Sequence, residues 1–397
     1  MADDRSMVSL SHAAAPPGAE RAPAVVSRRP VLDRTLRTVG FELIFPDGAA
    51  GTPSWRGELN HETHPAYLSV TAEYLLEREP LPLDPAGVVL QLARVPSIDG
   101  RLLDRLARLR REGFRIVLDD FSYSPELEPL LLRADIVKLD VVAIGQHETL
   151  GELELLRDKH VRTLAEGVDS EDVFEVFRDA GVDLFQGLFY ERPNLVSGAM
   201  PVGHGAALGA LHQLQSRGAD FDALEEIIRR DVALSYRLLR HINSAYYGHQ
   251  RTVDSIREAL SLLGTRAVRQ WAVALVLSGL DQRPHALLST ALVRARTCEL
   301  VLAPYDRESA SQGFTAGLFS LLDAILGAPM SDILAELPLS DTVEAAITRH
   351  EGVAGKALAK TIAYERGDFD HPALAPHVRS ALTIAYSDAV RWADSML

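Results

Sequence analysis

The feature of this sequence that most constrains its fold is a series of about eight short apolar or β-branched runs between residues 24 and 190, which alternate with helix-patterned stretches. The runs lie at 24–27, 39–45, 66–70, 88–92, 115–118, 136–139, 162–165 and 184–190. Eight strands with intervening helices close a β/α barrel. The sequence therefore predicts a TIM-like α/β barrel, shortened because the region falls below the usual ~250 residues.

A different pattern follows residues 193–205, a stretch with two prolines, three glycines and no periodicity. Beyond it we find no convincing strand, and helix-patterned segments succeed one another at 206–216, 221–230, 233–244, 255–263, 265–278, 285–302 and 308–326. An all-α bundle is the natural interpretation. We predict a flexible tail (1–23), a barrel domain (24–195), a linker (196–204) and an all-α domain (205–397). The Gly-rich segment 47–63 predicts a missing or stunted outer helix.

Composition narrows the class of protein. The net charge is −14, and there is no Lys/Arg stripe interleaved with aromatic residues, so direct binding of nucleic acid is not expected. The single cysteine, Cys298, lies in an apolar helical pattern and is expected to be a small core residue. No apolar run of about 18 residues and no signal peptide is evident. We predict a cytoplasmic protein without a membrane span.

Charged residues collect where the predicted strands end. These residues are Glu42, Asp119, Asp120, Lys138, Asp140 and Glu166. In a parallel barrel the strand ends meet at one face, and carboxylates around a lysine suggest a divalent-metal site for phosphate-ester hydrolysis. Alternatively, Asp119 and Asp120 merely begin a loop and Lys138 pairs with a neighbouring acid. The combination of residues at successive strand ends favours the site.

Several of these segments resemble the EAL family of cyclic di-GMP phosphodiesterases. The most specific are Leu118-Asp119-Asp120-Phe121, Lys138-Leu139-Asp140 and Ala165-Glu166-Gly167-Val168. The resemblance implies that Glu42 is the signature metal-ligating glutamate, that Asp119 and Asp120 bridge the metals, and that Lys138 lies near the attacking water. Glu166 matches the later acidic position, and Gln186 the glutamine of the last barrel motif.

Departures from that family pattern lead us to expect a degenerate barrel. Pro46 stands where the family has a phosphate-binding arginine, and Ser69 and Gln91 stand where it has a metal-binding asparagine and glutamate. The loop after Phe121 lacks the family's glycines, and Asp169 replaces a glutamate. Because these changes remove a positive charge that binds phosphate and weaken the ligand set for hard cations, we predict no catalysis and no resident metal or other cofactor. Mg²⁺ or Mn²⁺ is expected only if activity is retained.

The C-terminal half resembles the HDOD family, through the segments 227–235, 238–248 and 255–264. This family is related to metal-dependent phosphohydrolases but typically lacks their His-Asp pair, and the apolar segment 317–322 agrees with that. His241 and His350 have no ligand partner at suitable spacing on their own helix faces and are expected to be ordinary buried or surface histidines. Asn243 is expected to bond the backbone inside the fold.

The order of the two modules resembles a bacterial signal-transduction architecture. Our main hypothesis is a non-catalytic scaffold in which the helical module docks a regulatory protein partner, with oligomerisation possible. The first alternative is a cyclic di-GMP receptor that binds through Glu42, Asp119, Asp120, Lys138, Glu166 and Gln186 without hydrolysis. The second is a residual metal-dependent phosphodiesterase that depends on the surviving acids and the lysine.

Overall fold

The structure is a computed structural model. It describes residues 27–45, 64–93, 98–192, 255–278, 284–337 and 339–396, together with the single positions 221, 224, 225, 238, 241, 242 and 253. The predicted tail and linker, the segment 47–63, Pro46 and Asn243 lie outside the described residues.

Eight strands form a closed barrel in which each strand pairs with its neighbours in chain order. They are β1 (Ser27–Asp33), β2 (Thr38–Ile44), β3 (Ala66–Val70), β4 (Val88–Leu92), β5 (Arg115–Leu118), β6 (Ile136–Asp140), β7 (Arg162–Glu166) and β8 (Leu184–Phe185). The predicted number of strands is confirmed, and six of the predicted runs match a strand to within one residue at each end, whereas β8 covers only the first two residues of the run 184–190. Their apolar side chains fill the barrel and pack its outer face against helices.

The first strand departs from the prediction in position and direction. It begins at Ser27, where the predicted run ends, and it is antiparallel to both β2 and β8. The turn at residues 34–37 is short enough to connect β1 and β2 as a hairpin, whereas a parallel pair would need a long crossover. The reversal places the start of β1 at the carboxyl ends of the other strands, which is the face where the charged residues lie.

Helices cover the outside of the barrel. They are α1 (Ala72–Glu77), α2 (Gly100–Arg111), α3 (Glu128–Leu131), α4 (Val141–Ile144), α5 (Gln146–Leu156) and α6 (Glu171–Ala180). Helix α6 has the predicted caps: the Ser170 side chain accepts a hydrogen bond from the Val173 backbone, and Gly181 ends the helix with a φ of +103°. A 3₁₀ turn at Phe189–Glu191 follows β8.

The described residues of the C-terminal half form helices joined by turns and short irregular segments. Its helices are α7 (Ile256–Ser278), α8 (His285–Leu302), α9 (Arg307–Phe319), α10 (Leu322–Leu326), α11 (Met330–Ala335), α12 (Asp341–Arg349), α13 (Gly352–Glu365) and α14 (Pro376–Met396). Gly264 interrupts α7 with a φ of +80°, at the boundary that the sequence predicts between two helices. In the part of the chain described here, no helix is both long and apolar enough to cross a membrane.

The barrel and the helical half share one hydrophobic core, which runs from α6 and β8 through Tyr190 into α8, α13 and α14. Polar contacts follow the same seam. The Arg28 guanidinium donates to both Asp394 carboxylate oxygens and to the Ser289 hydroxyl. The Arg294 guanidinium joins Glu365 on α13 to Glu191 of the barrel. The helical half therefore packs against the face of the barrel where the charged residues lie.

Candidate functional site

Six side chains from different strands converge at the carboxyl-end face of the barrel. Four lie on strands and two directly follow a strand: Glu42, Gln91, Lys138 and Glu166, then Asp119 and Gln186. Five of them are residues that the sequence predicts for the site. The structure thus brings together positions up to 144 residues apart in the chain, as expected for strand ends in a barrel.

Glu42 is the centre of this cluster and is buried. Its Oε1 atom accepts hydrogen bonds from Gln91 Nε2 at 2.7 Å and from Lys138 Nζ at 3.0 Å. Its Oε2 atom accepts one from Gln186 Nε2 at 2.7 Å. Burial raises the pKa of Glu42, but the Lys138 charge and these hydrogen bonds outweigh it, so that the pKa is lowered overall. Glu42 is therefore a fixed carboxylate.

Lys138 is the basic member of the cluster. Its Nζ lies 2.7 Å from Glu166 Oε2, 3.0 Å from Glu42 Oε1 and 3.6 Å from Asp119 Oδ1. Burial lowers the pKa of Lys138, and the three carboxylates more than compensate, so the pKa is raised and the ammonium stays charged. With one ammonium among three carboxylates, the cluster carries an excess of negative charge.

Burial and the excess of negative charge raise the pKa values of the two other acids, Asp119 and Glu166. Burial raises the pKa of both Asp119 and Glu166, and although Lys138 opposes the effect, the neighbouring Glu42 charge adds to it. The three carboxylates therefore share the Lys138 ammonium, and Arg29 contacts only Glu166 among them, at 3.4 Å. A further cation at this place would reduce the remaining repulsion between the carboxylates.

The predicted aspartate pair is divided by the structure. Asp119 joins the cluster, whereas Asp120 is exposed beside it with its backbone N–H donating to Asp119 Oδ1 at 3.1 Å. Asp120 has a φ of +47°, in the left-handed region that a non-glycine residue seldom adopts. The turn directs the Asp119 carboxylate towards Gln91 and Lys138.

Gln91, which the sequence predicts to be a neutral replacement of a metal-binding glutamate, lies at the middle of the cluster. Its Nε2 donates to Glu42 Oε1 and to Asp119 Oδ2, both at 2.7 Å. The amide therefore holds the two carboxylates towards one point. Ser69 lies beside Gln91 in the register of β3 and β4.

These residues fit one divalent cation by their chemistry. Two carboxylate oxygens lie within 2.7 Å of the same amide nitrogen, and hard cations prefer carboxylate and amide oxygens. Among the described residues, no group of three or more His, Cys, Asp or Glu is arranged to hold a metal. A cation here would thus take Glu42 and Asp119, with the Gln91 amide as a third, neutral neighbour.

Two clefts open beside the cluster. One, of about 510 Å³, is lined by Asp119, Asp120 and Ser122. The other, of about 280 Å³, lies between the barrel and the helical half and is lined by Glu166 and Gln186. Asp140 borders both clefts. The site therefore has room on two sides of the cluster, and one side is partly built by the helical half.

Arg29 is a residue of this face that the sequence does not identify. It is the direct partner of Glu42 in the antiparallel β1–β2 ladder. Its Nη1 lies 3.4 Å from Glu166 Oε1, and its Nη2 donates to the backbone carbonyl of Arg366 in the helical half. Arg29 reaches this face because β1 runs antiparallel to its neighbours, and the sequence pattern does not show the direction of a strand.

The helical half agrees with the predictions for its own residues. Cys298 is fully buried, and burial raises the pKa of its thiol to about 12. His241 is buried with its Nδ1 3.2 Å from the Ser395 carbonyl, and His350 ends α12 in a left-handed conformation. Both histidines therefore have ordinary structural positions.

Comparison with known proteins identifies two families along the chain. The EAL domain model matches residues 70–193, and the HDOD domain model matches residues 200–351. A curated relative, the cyclic di-GMP phosphodiesterase CdgJ of Vibrio cholerae, is 29% identical over 368 residues, 87% of this chain and 85% of the relative. A second, the uncharacterized protein YuxH of Bacillus subtilis, is 26% identical over 82% of this chain and 87% of its own length.

Among solved structures, an EAL domain protein from Listeria monocytogenes is similar over 42% of this chain and 86% of its own, with 16% identity and a TM-score of 0.34. A cyclic di-GMP complex of BlrP1 from Klebsiella pneumoniae with manganese covers 44% of this chain and 56% of its own, with 18% identity and a TM-score of 0.34.

These findings overturn one prediction. The expectation that the chain is not an enzyme is wrong, because a relative that extends over both halves is named a cyclic di-GMP phosphodiesterase and the barrel matches the EAL domain model. The physical reason is that Ser69 and Gln91 change two positions of the site without dispersing the charged cluster. The acids and the lysine remain in contact in spite of both changes.

The fold expectation is confirmed, since an eight-stranded barrel is followed by an all-helical half. The two family matches occur in the predicted order. Along the chain, a match to the EAL domain model is therefore followed by a match to the HDOD domain model, and the Vibrio cholerae relative is similar over 87% of the chain.

Proposed function

We propose that the barrel binds cyclic di-GMP and hydrolyses one of its phosphodiester bonds in a reaction that depends on Mg²⁺ or Mn²⁺. The observation that carries the proposal is the contiguous cluster of Glu42, Asp119, Lys138 and Glu166 at the carboxyl ends of the strands. The name of the Vibrio cholerae relative supports the same activity.

Glu42 and Asp119 are the residues that would hold the divalent cation. Turning the Gln91 amide about its last bond would exchange its nitrogen for its oxygen and add a third oxygen donor. When bound, the cation would activate a water molecule and neutralise charge on the phosphate. With one neutral donor among three, we expect weaker metal affinity than three carboxylates would give.

The remaining residues of the cluster hold the reacting groups in place. Gln186 fixes the second oxygen of Glu42, so that this carboxylate has one orientation. Lys138 bonds to both Glu42 and Glu166, and its positive charge reduces the repulsion between these two carboxylates. Asp120, at the lip of the cleft, is placed to meet the solvent-exposed side of the substrate.

A hydrolysis assay on the purified protein with Mg²⁺ or Mn²⁺ tests the proposal. We expect turnover in the wild type and none in Glu42→Gln or Asp119→Asn. Glu154→Gln is a matched control because this glutamate is 64% exposed and lies on an outer helix. Absence of metal-dependent turnover in the wild type, or a rate that survives both substitutions, would contradict the proposal.

A receptor that binds cyclic di-GMP without hydrolysis is the second candidate. The observation that favours it is Gln91, a neutral amide whose nitrogen donates to both Glu42 and Asp119. Calorimetric titration in EDTA, paired with the hydrolysis assay, separates the two. Binding without turnover in Mn²⁺ selects the receptor.

We further propose that the helical half regulates the barrel and docks a protein partner, within domain boundaries of 24–195 and 205–397. The support for regulation is the contact between the two halves, where Arg294 joins Glu191 to Glu365. Limited proteolysis should cut within 196–204, and a pull-down with the full chain should lose its partner when α14 residues at the exposed surface are changed.

A further inference from the structure

We propose that Arg29 binds the phosphodiester of the substrate in the cleft between the barrel and the helical half. The proposal deepens the proposed function, since it names a residue for the substrate of that same site. It assigns to β1 a contact that neither the sequence motifs nor the family matches supply, because the EAL domain model begins at residue 70.

The charge balance of the cleft requires such a contact. Glu166, Asp140, Asp169 and Glu191 line it, and the cluster beside it already has more carboxylates than cations. A cyclic dinucleotide brings two further negative charges. Without an additional cation facing the cleft, the anionic ligand would meet a negative surface.

Three described residues that line this cleft are basic: Arg28, Arg29 and Arg366. Arg28 is committed elsewhere, since its side chain is 8% exposed and both its terminal nitrogens bond to Asp394. The Arg29 side chain is 39% exposed, and its ion pair with Glu166 is long, at 3.4 Å. A phosphate can therefore compete for the Arg29 guanidinium.

The position of Arg29 suits this role. As the ladder partner of Glu42, it projects from the same face of the sheet as the centre of the cluster. Its Nη2 donates to the Arg366 carbonyl, at the end of α13, which restrains one side of the guanidinium. The Nη1 and Nε edge would make a planar, bidentate contact with phosphate oxygens once the phosphate displaces Glu166 from Nη1. The helical half thereby positions a substrate-binding group of the barrel.

Titration of the full-length protein with cyclic di-GMP in EDTA tests this assignment without any need for turnover. We expect Arg29→Gln to raise the Kd by about 10- to 100-fold, the range for loss of a charged hydrogen-bonding pair. Arg29→Lys should recover part of the affinity because it keeps the charge but not the fork. In the hydrolysis assay, Arg29→Gln should raise KM more than it lowers kcat.

Arg34→Gln is the matched control. Arg34 follows β1 at the opposite end of the barrel, donates to the Val182 and Gly181 carbonyls, and lies 3.3 Å from Asp183. The Arg34→Gln substitution removes an arginine with similar structural contacts far from the cleft, so it should leave the Kd for cyclic di-GMP unchanged. Thermal melting of both variants reports any loosening of the fold.

Three results would overturn the assignment in distinguishable ways. If the wild type binds cyclic di-GMP and Arg29→Gln binds it equally well, Arg29 is only an interdomain contact and the proposed function stands. If Arg29→Gln and Arg34→Gln weaken binding equally, with Arg29→Lys giving no recovery, the effect is structural. If the wild type neither binds nor hydrolyses the dinucleotide, the proposed function fails together with the assignment.

Discussion

Replacement of Arg294 by methionine should destabilise the whole chain. Arg294 is 3% exposed, and its guanidinium contacts Glu365 at 3.0 and 3.2 Å, Glu191 at 3.3 Å and the Ser320 hydroxyl at 3.0 Å. The Glu191 and Glu365 side chains are about as buried, at 9% and 10% exposure. Methionine keeps much of the volume but leaves two buried carboxylates without their shared cation.

The expected loss follows from that imbalance. Removing one partner of a buried ion pair costs about 3–5 kcal/mol, because the uncompensated charge remains away from water. At about 2–4 °C for each kcal/mol in a domain of comparable size, the melting temperature should fall by roughly 10 °C. An exposed pair supplies the control: Arg349 and Glu351 are 58% and 60% exposed, so Arg349→Met should cost less than about 1 kcal/mol.

The loss should also depend on pH. Burial raises the pKa of Glu365, and the Arg294 charge now opposes that rise, so the pKa should climb further in Arg294→Met. A carboxyl with a higher pKa in the folded chain than in the unfolded chain binds more protons when folded, so its folded state gains stability as the pH falls through that window. The deficit of the variant should therefore be smaller near pH 5 than near pH 8.

Urea unfolding of wild type, Arg294→Met and Arg349→Met at both pH values measures these differences. Adding Glu365→Gln to Arg294→Met should restore part of the lost stability, because it removes one of the stranded charges. Equal midpoints for Arg294→Met and Arg349→Met, or a deficit that grows at acidic pH, would refute the reasoning about the buried carboxylates.

Two further predictions concern the cluster and the helical half. Gln91→Glu replaces an amide that donates to Glu42 and Asp119 by a third carboxylate. In EDTA, the melting temperature should therefore fall by an amount equivalent to about 2–4 kcal/mol. Mn²⁺ should raise the melting temperature of this variant more than that of the wild type, and an equal shift in both proteins would refute the metal site. Burial lowers the pKa of His241 from 6.5 to about 4, so the unfolded chain binds a proton that the folded chain does not, and stability should fall by about 3 kcal/mol as the pH drops through that interval. His241→Gln should flatten this pH dependence in urea unfolding, and an unchanged profile would show that another group causes it.

The barrel could be predicted from the sequence because its strands are short apolar runs with regular spacing. β3, β4 and β5 have the predicted bounds, and the acids at strand ends meet because parallel strands end at one face. The first strand could not be assigned in the same way. Its residues Arg28 and Arg29 interrupt the apolar pattern, and only the hairpin with β2 shows that it runs backwards.

The family motifs identify most residues of the cluster, but they do not show how the side chains contact one another. A motif compares residue types and contains no distances, so the sequence indicates only that Gln91 lacks a negative charge. The structure shows that its amide reaches two carboxylates at once. In the same way, Arg294 lies 103 residues from Glu191 and 71 from Glu365, so no local pattern could have joined them.

The buried ion triad of Glu191, Arg294 and Glu365 limits how this architecture can be rearranged. Its members belong to three separate elements, and exchanging the barrel alone or the bundle alone would divide the triad between two parents. A chimera would inherit an unmatched charge unless both parents carried the same three residues. Domains joined only by a linker can ordinarily be exchanged one at a time, but here a chimera would have to take both contacting surfaces from the same parent.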